Sequence, residues 1–405
     1  MPENRRDFLQ TLGTLTGLVL VPECSTVTFA MEGPPRRLAV IGVGRQGRAI
    51  LTELQKIPQV EVAALCDTAA SRLQAALGRA KGAQTFTDAR ALFDTRADID
   101  AVVIATPTHE HRALVEQALA AGRHVYCEAP LAARVEDCRA IAAAAARATT
   151  VFHAGFQGRS NPTYRRAQPL VGAELRELVT MSAQYHRKTS WRFPAADGQS
   201  EKAANWRLDP AVSTGLAGEV GTQQFDVVHW MRGSYPQRVE GRGWVRLHKD
   251  GRSVHDTIVA DLIWPDGVPL RYEATLANSN GGQWELFHGI YGAIRLAWTH
   301  GWLFKEADAP TQGWEVYATR QRHFDEEGIT LIANATQLAA QGNLKDGVGL
   351  QHPPLYYALA DFVKSLTEGA PVACTAEEGA RASIVGILVN QAITTGTTVE
   401  VPAFV

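Results

Sequence analysis

Arg37-Leu38-Ala39-Val40-Ile41 runs without a break into Gly42-Val43-Gly44-Arg45-Gln46-Gly47, and the reading of that junction decides the fold. The first stretch is a short apolar run that predicts a strand. Ala49, Ile50, Leu51 and Leu54 then recur at helical spacing and predict a helix that opens on the glycine motif. A second apolar run, Val60 to Leu65, ends at Asp67, 20 residues beyond Gly47. Three glycines alone would describe many turns. Set between a strand and a helix, with a carboxylate closing the next strand, they describe a dinucleotide-binding βαβ unit. Gly42 permits the tight turn, Gly44 lets backbone approach a pyrophosphate, and Gly47 lets helix and strand pack closely. The phosphates would then meet free N–H groups at the helix N-terminus. A carboxylate at Asp67 can accept both ribose hydroxyls of NAD and repels the 2′-phosphate of NADP. Arg72, one turn into the next helix, softens that repulsion. NAD is the expected cofactor and NADP the less favoured one.

The α/β rhythm continues outward. Helices are expected over Ala69–Arg79, from Ala89 to Phe93, over Arg112–Ala121 with Gly122 as its stop, and over Leu131–Arg147. Asp100–Ala105, His124–Cys127 and Val151–Phe156 read as strands, the first a continuous apolar run suited to a parallel strand buried on both faces. Successive βαβ units of this kind imply right-handed crossovers and a doubly wound sheet. From about Leu178 to Leu303 strands dominate, at Leu178–Tyr185, Arg242–Leu247, Thr257–Trp264, Val268–Leu276 and Trp284–Tyr291, with a helix at Thr222–Met231. Helices at Pro354–Leu366 and Ala376–Thr394 close the chain. The expected fold is α/β: a Rossmann domain, then an α+β domain built on a large, open, mainly antiparallel sheet.

Composition agrees with two globular domains. The chain has 405 residues, 45% of them hydrophobic, and a formal net charge of −2. That balance gives no reason to expect nucleic acid or an acidic membrane surface as partner. No apolar run approaches the roughly 20 residues of a spanning helix. Cys24, Cys66, Cys127, Cys138 and Cys374 show no C-x-x-C spacing and read as packing residues, and no metal site is expected.

Several further stretches resemble the glucose–fructose oxidoreductase/inositol dehydrogenase (Gfo/Idh/MocA) family. They are Ala105-Thr106-Pro107-Thr108-His109-Glu110-His111, His124-Val125-Tyr126-Cys127-Glu128-Ala129-Pro130, and Gly155-Phe156-Gln157-Gly158-Arg159-Ser160-Asn161-Pro162. In the second half come Asn205-Trp206-Arg207 and Gly218-Glu219-Val220-Gly221-Thr222-Gln223-Gln224-Phe225-Asp226. The resemblance implies a carbohydrate oxidoreductase. It places Gly42, Val43, Gly44, Arg45, Gln46, Asp67, Thr106, Pro107, His109, His111, Glu128 and Gln157 around the dinucleotide, with His109 and His111 bordering the nicotinamide ribose. The peptide bond before Pro130 is expected to be cis. A homodimer or homotetramer is implied as well.

Two departures matter. The family's Glu-Lys-Pro is Glu128-Ala129-Pro130 here, and the histidine three residues before Asp226 is Gln223. That lysine and histidine ordinarily polarise the alcohol and take its proton. Gln223 can hydrogen-bond but cannot act as a base, and Ala129 can do neither. Glu219 is the first candidate to stand in and His186 the second, with Gln223 in the histidine's place. Tyr185, Arg187, Trp191, Arg192, Trp206, Arg207 and Asp226 are the candidate substrate contacts, since flat rings and guanidinium forks suit sugars.

Residues 1–30 stand apart. Asn4-Arg5-Arg6-Asp7-Phe8-Leu9-Gln10 resembles a twin-arginine export signal, followed by a weakly apolar Thr11–Val21 and small residues near Ala30. The expected organisation is a leader over 1–30, a Rossmann domain over 31–157 and a substrate and oligomerisation domain over 158–405. A periplasmic location offers no pool of nicotinamide nucleotide, so the expected function is an exported, NAD-dependent oxidoreductase of a sugar, polyol or glycoside that holds and recycles its cofactor. Two alternatives stay open: an NAD-dependent glycosidase working by oxidation, elimination, addition and reduction, and a nucleotide- or sugar-binding protein without turnover.

Overall fold

The computed structural model describes residues 34–404, apart from 197, 324–325, 334, 336–337, 339–340 and 342–346. The expected leader and Cys24 therefore lie outside the described residues.

The first domain is the expected doubly wound unit. β1 (Arg36–Ile41), α1 (Arg45–Leu54), β2 (Val60–Cys66), α2 (Ala70–Leu77), β3 (Gln84–Phe86), α3 (Ala89–Thr95), β4 (Ala101–Ile104), α4 (His111–Ala120), β5 (His124–Glu128), α5 (Val135–Arg147) and β6 (Phe152–Gly155) follow in order. The sheet runs β3-β2-β1-β4-β5-β6 with every pair parallel. Leu38 to Ile41 and Ala101 to Ile104 are buried on both faces, which is why those segments carry no polar alternation. Strand order reverses between β1 and β4. That switch point opens a crevice at the strands' carboxyl ends.

The chain then forms α6 (Pro162–Leu175), whose N-terminus is capped by the Asn161 side chain accepting from Thr163 and Tyr164 N–H. The second sheet begins with β7 (Leu178–His186). After a long excursion come α7 (Thr222–Arg232), β8 (Arg238–Trp244), β9 (Thr257–Ile263), β10 (Pro269–Thr275), β11 (Gln283–Gly289), β12 (Gly292–Leu296), β13 (Gly301–Lys305), β14 (Arg320–His323) and β15 (Glu326–Thr330). α8 (Pro354–Thr367), α9 (Ala376–Thr395) and the short β16 (Val399–Glu400) complete the chain. The sheet order is β14-β15-β13-β12-β11-β7-β10-β9-β8-β16. β7 and β10 pair in parallel and the other neighbours antiparallel, so the sheet is mixed and mostly antiparallel, as expected.

One late helix crosses back. Leu355, Leu359, Phe362 and Val363 of α8 pack into the cluster formed by Leu38, Val40, Ile50 and Leu51, so the Rossmann core is completed by residues beyond 350. α9 is the other tie, lying against α5, α7 and β8. It starts on a capping box in which Thr375 and Glu378 satisfy each other's backbone N–H. Cys66, Cys127, Cys138 and Cys374 are buried, unbridged thiols. Burial pushes Cys66 and Cys138 up to about 12, which makes them inert packing groups. No described helix is long and apolar enough to cross a membrane.

Candidate active site

The crevice at the switch point widens into a cleft of about 1670 Å³ walled by the Rossmann loops on one side and β7, α7 and the 190–212 loops on the other. Ordinary small-molecule sites measure roughly 300–1,000 Å³, so there is room for a dinucleotide and a second ligand.

The glycine motif has the geometry its spacing implied. Gly42 sits at φ +88°, and a Cβ there would come within 2.7 Å of the Ala105 and Thr106 backbone. A Cβ on Gly47 would lie 2.0 Å from Gly42 O. Gly44 faces open space and caps α1, whose first turn carries neither an acidic residue nor a side-chain cap. Its N–H groups are thus left for an anion. The buried Asp67 carboxylate accepts Val43 N–H at 3.0 Å and Ala69 N–H at 2.9 Å, which holds it at the end of β2, with Arg72 Nη1 3.9 Å away. Among the described residues, nothing within hydrogen-bond distance answers the buried Thr106 Oγ1 and Glu128 Oε1 atoms. The donor set, the open helix terminus and these orphaned oxygens fit NAD. Burial pushes the Glu128 carboxyl up to about 7, against the pull of Gln46, Tyr126 and Arg207. The Ala129–Pro130 bond is cis, as expected.

His111 borders the cleft from beneath, with both ring nitrogens engaged by backbone. Its ring spans Pro130 O at 3.1 Å and Thr106 O at 3.0 Å, tying the β4 and β5 loops together, and burial lowers it to about 4. Gln223 reaches the cleft but is similarly engaged. Its Nε2 donates to Gly155 O at 2.9 Å while its Oε1 accepts Gln157 N–H at 3.1 Å, so the amide clamps the loop after β6. Gln157 lines the cleft beside it, with Pro107 on the opposite loop.

Glu219 lies on a widened, π-helical turn, Ala217–Gly221, that leads into α7. Its carboxylate accepts from Thr214 Oγ1 at 2.8 Å, Thr108 Oγ1 at 3.3 Å and Arg207 Nε at 3.4 Å. The Arg207 guanidinium rests 4.6 Å from the Trp206 ring and 5.7 Å from that of Trp191. His109 meets Trp206 edge-on at 5.8 Å and opens on the same space. Burial lowers its pKa, while Glu219 and Asp209 push in the other direction. Its ring makes no hydrogen bond to another described residue, which leaves a basic nitrogen available. Sequence reasoning assigned His109 to the cofactor alone. Its nearness to Glu219, 110 positions away, has no local signal.

Four expected contacts are corrected. Tyr185 and Arg187 face the cleft, but the pleat turns His186 to the opposite face of the sheet. There its Nδ1 meets Asn280 O at 2.9 Å and its Nε2 meets Glu273 at 3.2 Å. His186→Ala is therefore expected to change turnover less than twofold in a steady-state assay. Arg192 is drawn outward onto Asp250 at 2.7 Å. Trp191 is buried under Arg207 and does not line the cleft. Asp226 is fully buried and held by Arg159, with Nη2–Oδ1 at 2.8 Å and Nε–Oδ2 at 2.9 Å, so it is an anchor for α7 and not a substrate contact.

A strap unforeseen in the sequence crosses the cleft. Asn205 closes its neck, accepting Phe193 N–H at 2.7 Å and donating to Phe193 O at 3.0 Å. Gln199 Oε1 accepts from Arg72 Nη2 at 2.7 Å, and the Phe193 ring lies 5.0 Å from the Arg45 guanidinium. Both contacts join the second domain to the nucleotide-binding loops.

Comparison with known proteins agrees with this architecture. Residues 36–156 match the model of the oxidoreductase family with an NAD-binding Rossmann fold, and residues 186–401 match that family's C-terminal alpha/beta domain. An inositol 2-dehydrogenase 3 of Saccharopolyspora erythraea is 36% identical over 141 residues, 34% of this chain and 40% of the relative. A glycosyl hydrolase family 109 protein of Shewanella pealeana is 29% identical over 237 residues, covering 51% and 50%. The matched stretch thus spans half or less of each of these curated relatives. The solved structure of a levoglucosan dehydrogenase in complex with NADH shares the fold, at a TM-score of 0.72 and 19% identity, covering 91% of this chain and all of that one. With both domains matched, and the matched residues taking in the glycine motif, Asp67 and the α7 wall of the cleft, the chain belongs to the Gfo/Idh/MocA oxidoreductase family.

Proposed function

We propose that the protein is an NAD-dependent oxidoreductase of a sugar, polyol or glycoside in which the cofactor is retained between turnovers and His109 replaces the missing proton-transfer pair. The observation that carries this reading is a basic imidazole with no hydrogen-bond partner among the described residues, in a cleft whose other wall holds a fixed carboxylate. Bound NAD supplies the hydride acceptor. His109 takes the hydroxyl proton as the carbinol carbon is oxidised, and Glu219 offsets the positive charge that then forms on the imidazole. Thr108, Thr214 and Arg207 fix Glu219 in that position. Glu219 is a positioning group here, and Gln223 a clamp.

The strap supports retention. A hydrogen bond contributes about 1 kcal/mol net, one to a charged group somewhat more, and an exposed cation–π contact about 0.5–1. Removing both in a Phe193→Ala/Gln199→Ala double variant is expected to speed NADH release roughly tenfold. The wild type is expected to carry NAD(H) through purification, as read by native mass spectrometry. Nucleotide-free wild type, or release as fast in wild type as in the variant, overturns retention. Export through the twin-arginine route, which carries folded proteins, fits a cofactor loaded before transit. The open outer face of the second sheet, with Trp284, Arg295 and Trp302, fits a homo-oligomer.

The glycoside hydrolase relative keeps a second reading in play, with the same oxidation as the first half of an elimination. Release of the aglycone from aryl glycosides, without net NADH, separates that chemistry from simple dehydrogenation. Binding without any hydride transfer would leave a binding protein.

A further inference from the structure

We infer that the sugar end of the cleft is built for a carbohydrate carrying a carboxylate, a uronic or aldonic acid, held by the guanidinium groups of Arg187, Arg207 and Arg45. This deepens the reading above and rests on it for the identity of the ligand as a sugar.

The charge in this part of the cleft is unbalanced. Arg187 leaves the end of β7 with its side chain on the cleft wall, and Arg45 faces it from the start of α1. Neither side chain has a hydrogen bond or ion pair with the other described residues. Arg207 spends only Nε on Glu219, which leaves its two terminal nitrogens as a fork. The Trp191 and Trp206 rings packed near its guanidinium limit where that fork can point. Lys202 is answered by Asp209 at 3.1 Å and adds nothing. Among the described residues, Glu219 is the carboxylate that bonds one of these three arginines, and burial pushes Glu128 toward its neutral form. Mutual repulsion is felt: Arg45 is lowered by burial first, then by Arg207 and Arg187.

Three like charges set against the single bond from Arg207 to Glu219 cost stability in the free protein. An arriving anion removes that cost, and a planar carboxylate matches a guanidinium fork in two parallel bonds. Trp206 and Tyr185 offer flat faces for the ring that bears it. Two sources could supply the anion, the sugar or the dinucleotide's own pyrophosphate. Arg187 belongs to the substrate domain, which favours the sugar.

The test uses the purified full chain saturated with NAD. Hydride transfer is followed in single turnovers with matched pairs, glucose against glucuronate and galactose against galacturonate. The uronate of one pair is expected to lead in kcat/KM by roughly 10–100-fold, the size of one or two charge-assisted bonds. Arg187→Ala should bring the ratio close to parity, chiefly through KM, and Arg187→Lys should restore part of it. NAD affinity, measured by calorimetry without sugar, should stay the same in both variants. Equal rates within each pair overturn the inference, and so does a loss of NAD affinity in Arg187→Ala, which assigns the cluster to the pyrophosphate. If no sugar is oxidised, uronate binding read through tryptophan fluorescence decides separately. Selective, Arg187-dependent binding upholds the anion site while the oxidoreductase reading fails, and its absence ends both.

Discussion

His109→Gln is expected to slow single-turnover hydride transfer by about 10²–10⁴, the range that loss of a general base produces. The glutamine preserves a polar side chain of similar reach and removes the ability to hold a proton. The pH profile supplies the second readout. Burial keeps the His109 pKa below its ordinary 6.5, so the ring is neutral and competent above that value. The wild-type rate should be level above pH 6.5 and fall through an inflection below it as the imidazole gains its proton. The variant should lose that inflection. Glu219→Gln removes a charge that raises His109, so it should move the inflection further down and cost less in rate. An unchanged rate in His109→Gln, or the same inflection in its absence, would falsify the assignment.

Asp226→Ala is expected to cost about 3–5 kcal/mol, the penalty for leaving one member of a buried ion pair behind. Arg159 and Asp226 are both buried, and three N–H donations run between them. Arg159 also donates to Glu378 in the capping box of α9. The pair therefore joins the loop after β6 to two helices of the second domain. Against a total stability of about 5–15 kcal/mol this is a large fraction. A urea midpoint at neutral pH measures it, with Asp226→Asn as the variant that keeps the shape. A loss below about 1 kcal/mol in Asp226→Ala would mean that the neighbourhood relaxes around the guanidinium, with Glu378 as its remaining partner.

Elements whose residues obey one period were legible from the chain, because periodicity is local. β1, α1 and β2 follow from residues 37–67 alone, and so do the close approaches of Gly42 and Gly47. α6 went unread because Pro162 and Pro169 break the pattern, although Asn161 and Pro162 form a good helix start. β8 begins earlier than expected, since Gly241 and Gly243 hide its alternation. The site divided along the same line. Asp67 was assigned by its distance from the glycines. His186 was misplaced because the face a strand residue occupies depends on which side carries the helices, and a one-residue step reverses it. Asp226 was taken for a ligand because its partner Arg159 lies 67 residues earlier, and no spacing rule links them. His109, Phe193 and Gln199 acquire their meaning only when the two domains meet.

The strap changes what kind of participant the dinucleotide is. On the proposed reading, a dinucleotide retained behind Phe193 and Gln199 would cease to be a second substrate and would act as a prosthetic group. Its bulk concentration then drops out of the rate law. Each oxidation would then leave the protein reduced, and a second acceptor would have to enter the same cleft before the next donor could react. Donor and acceptor would alternate in a ping-pong order, each competing with the other for one vacated space. The throughput of such a protein is set by how well a single pocket tolerates two different sugars.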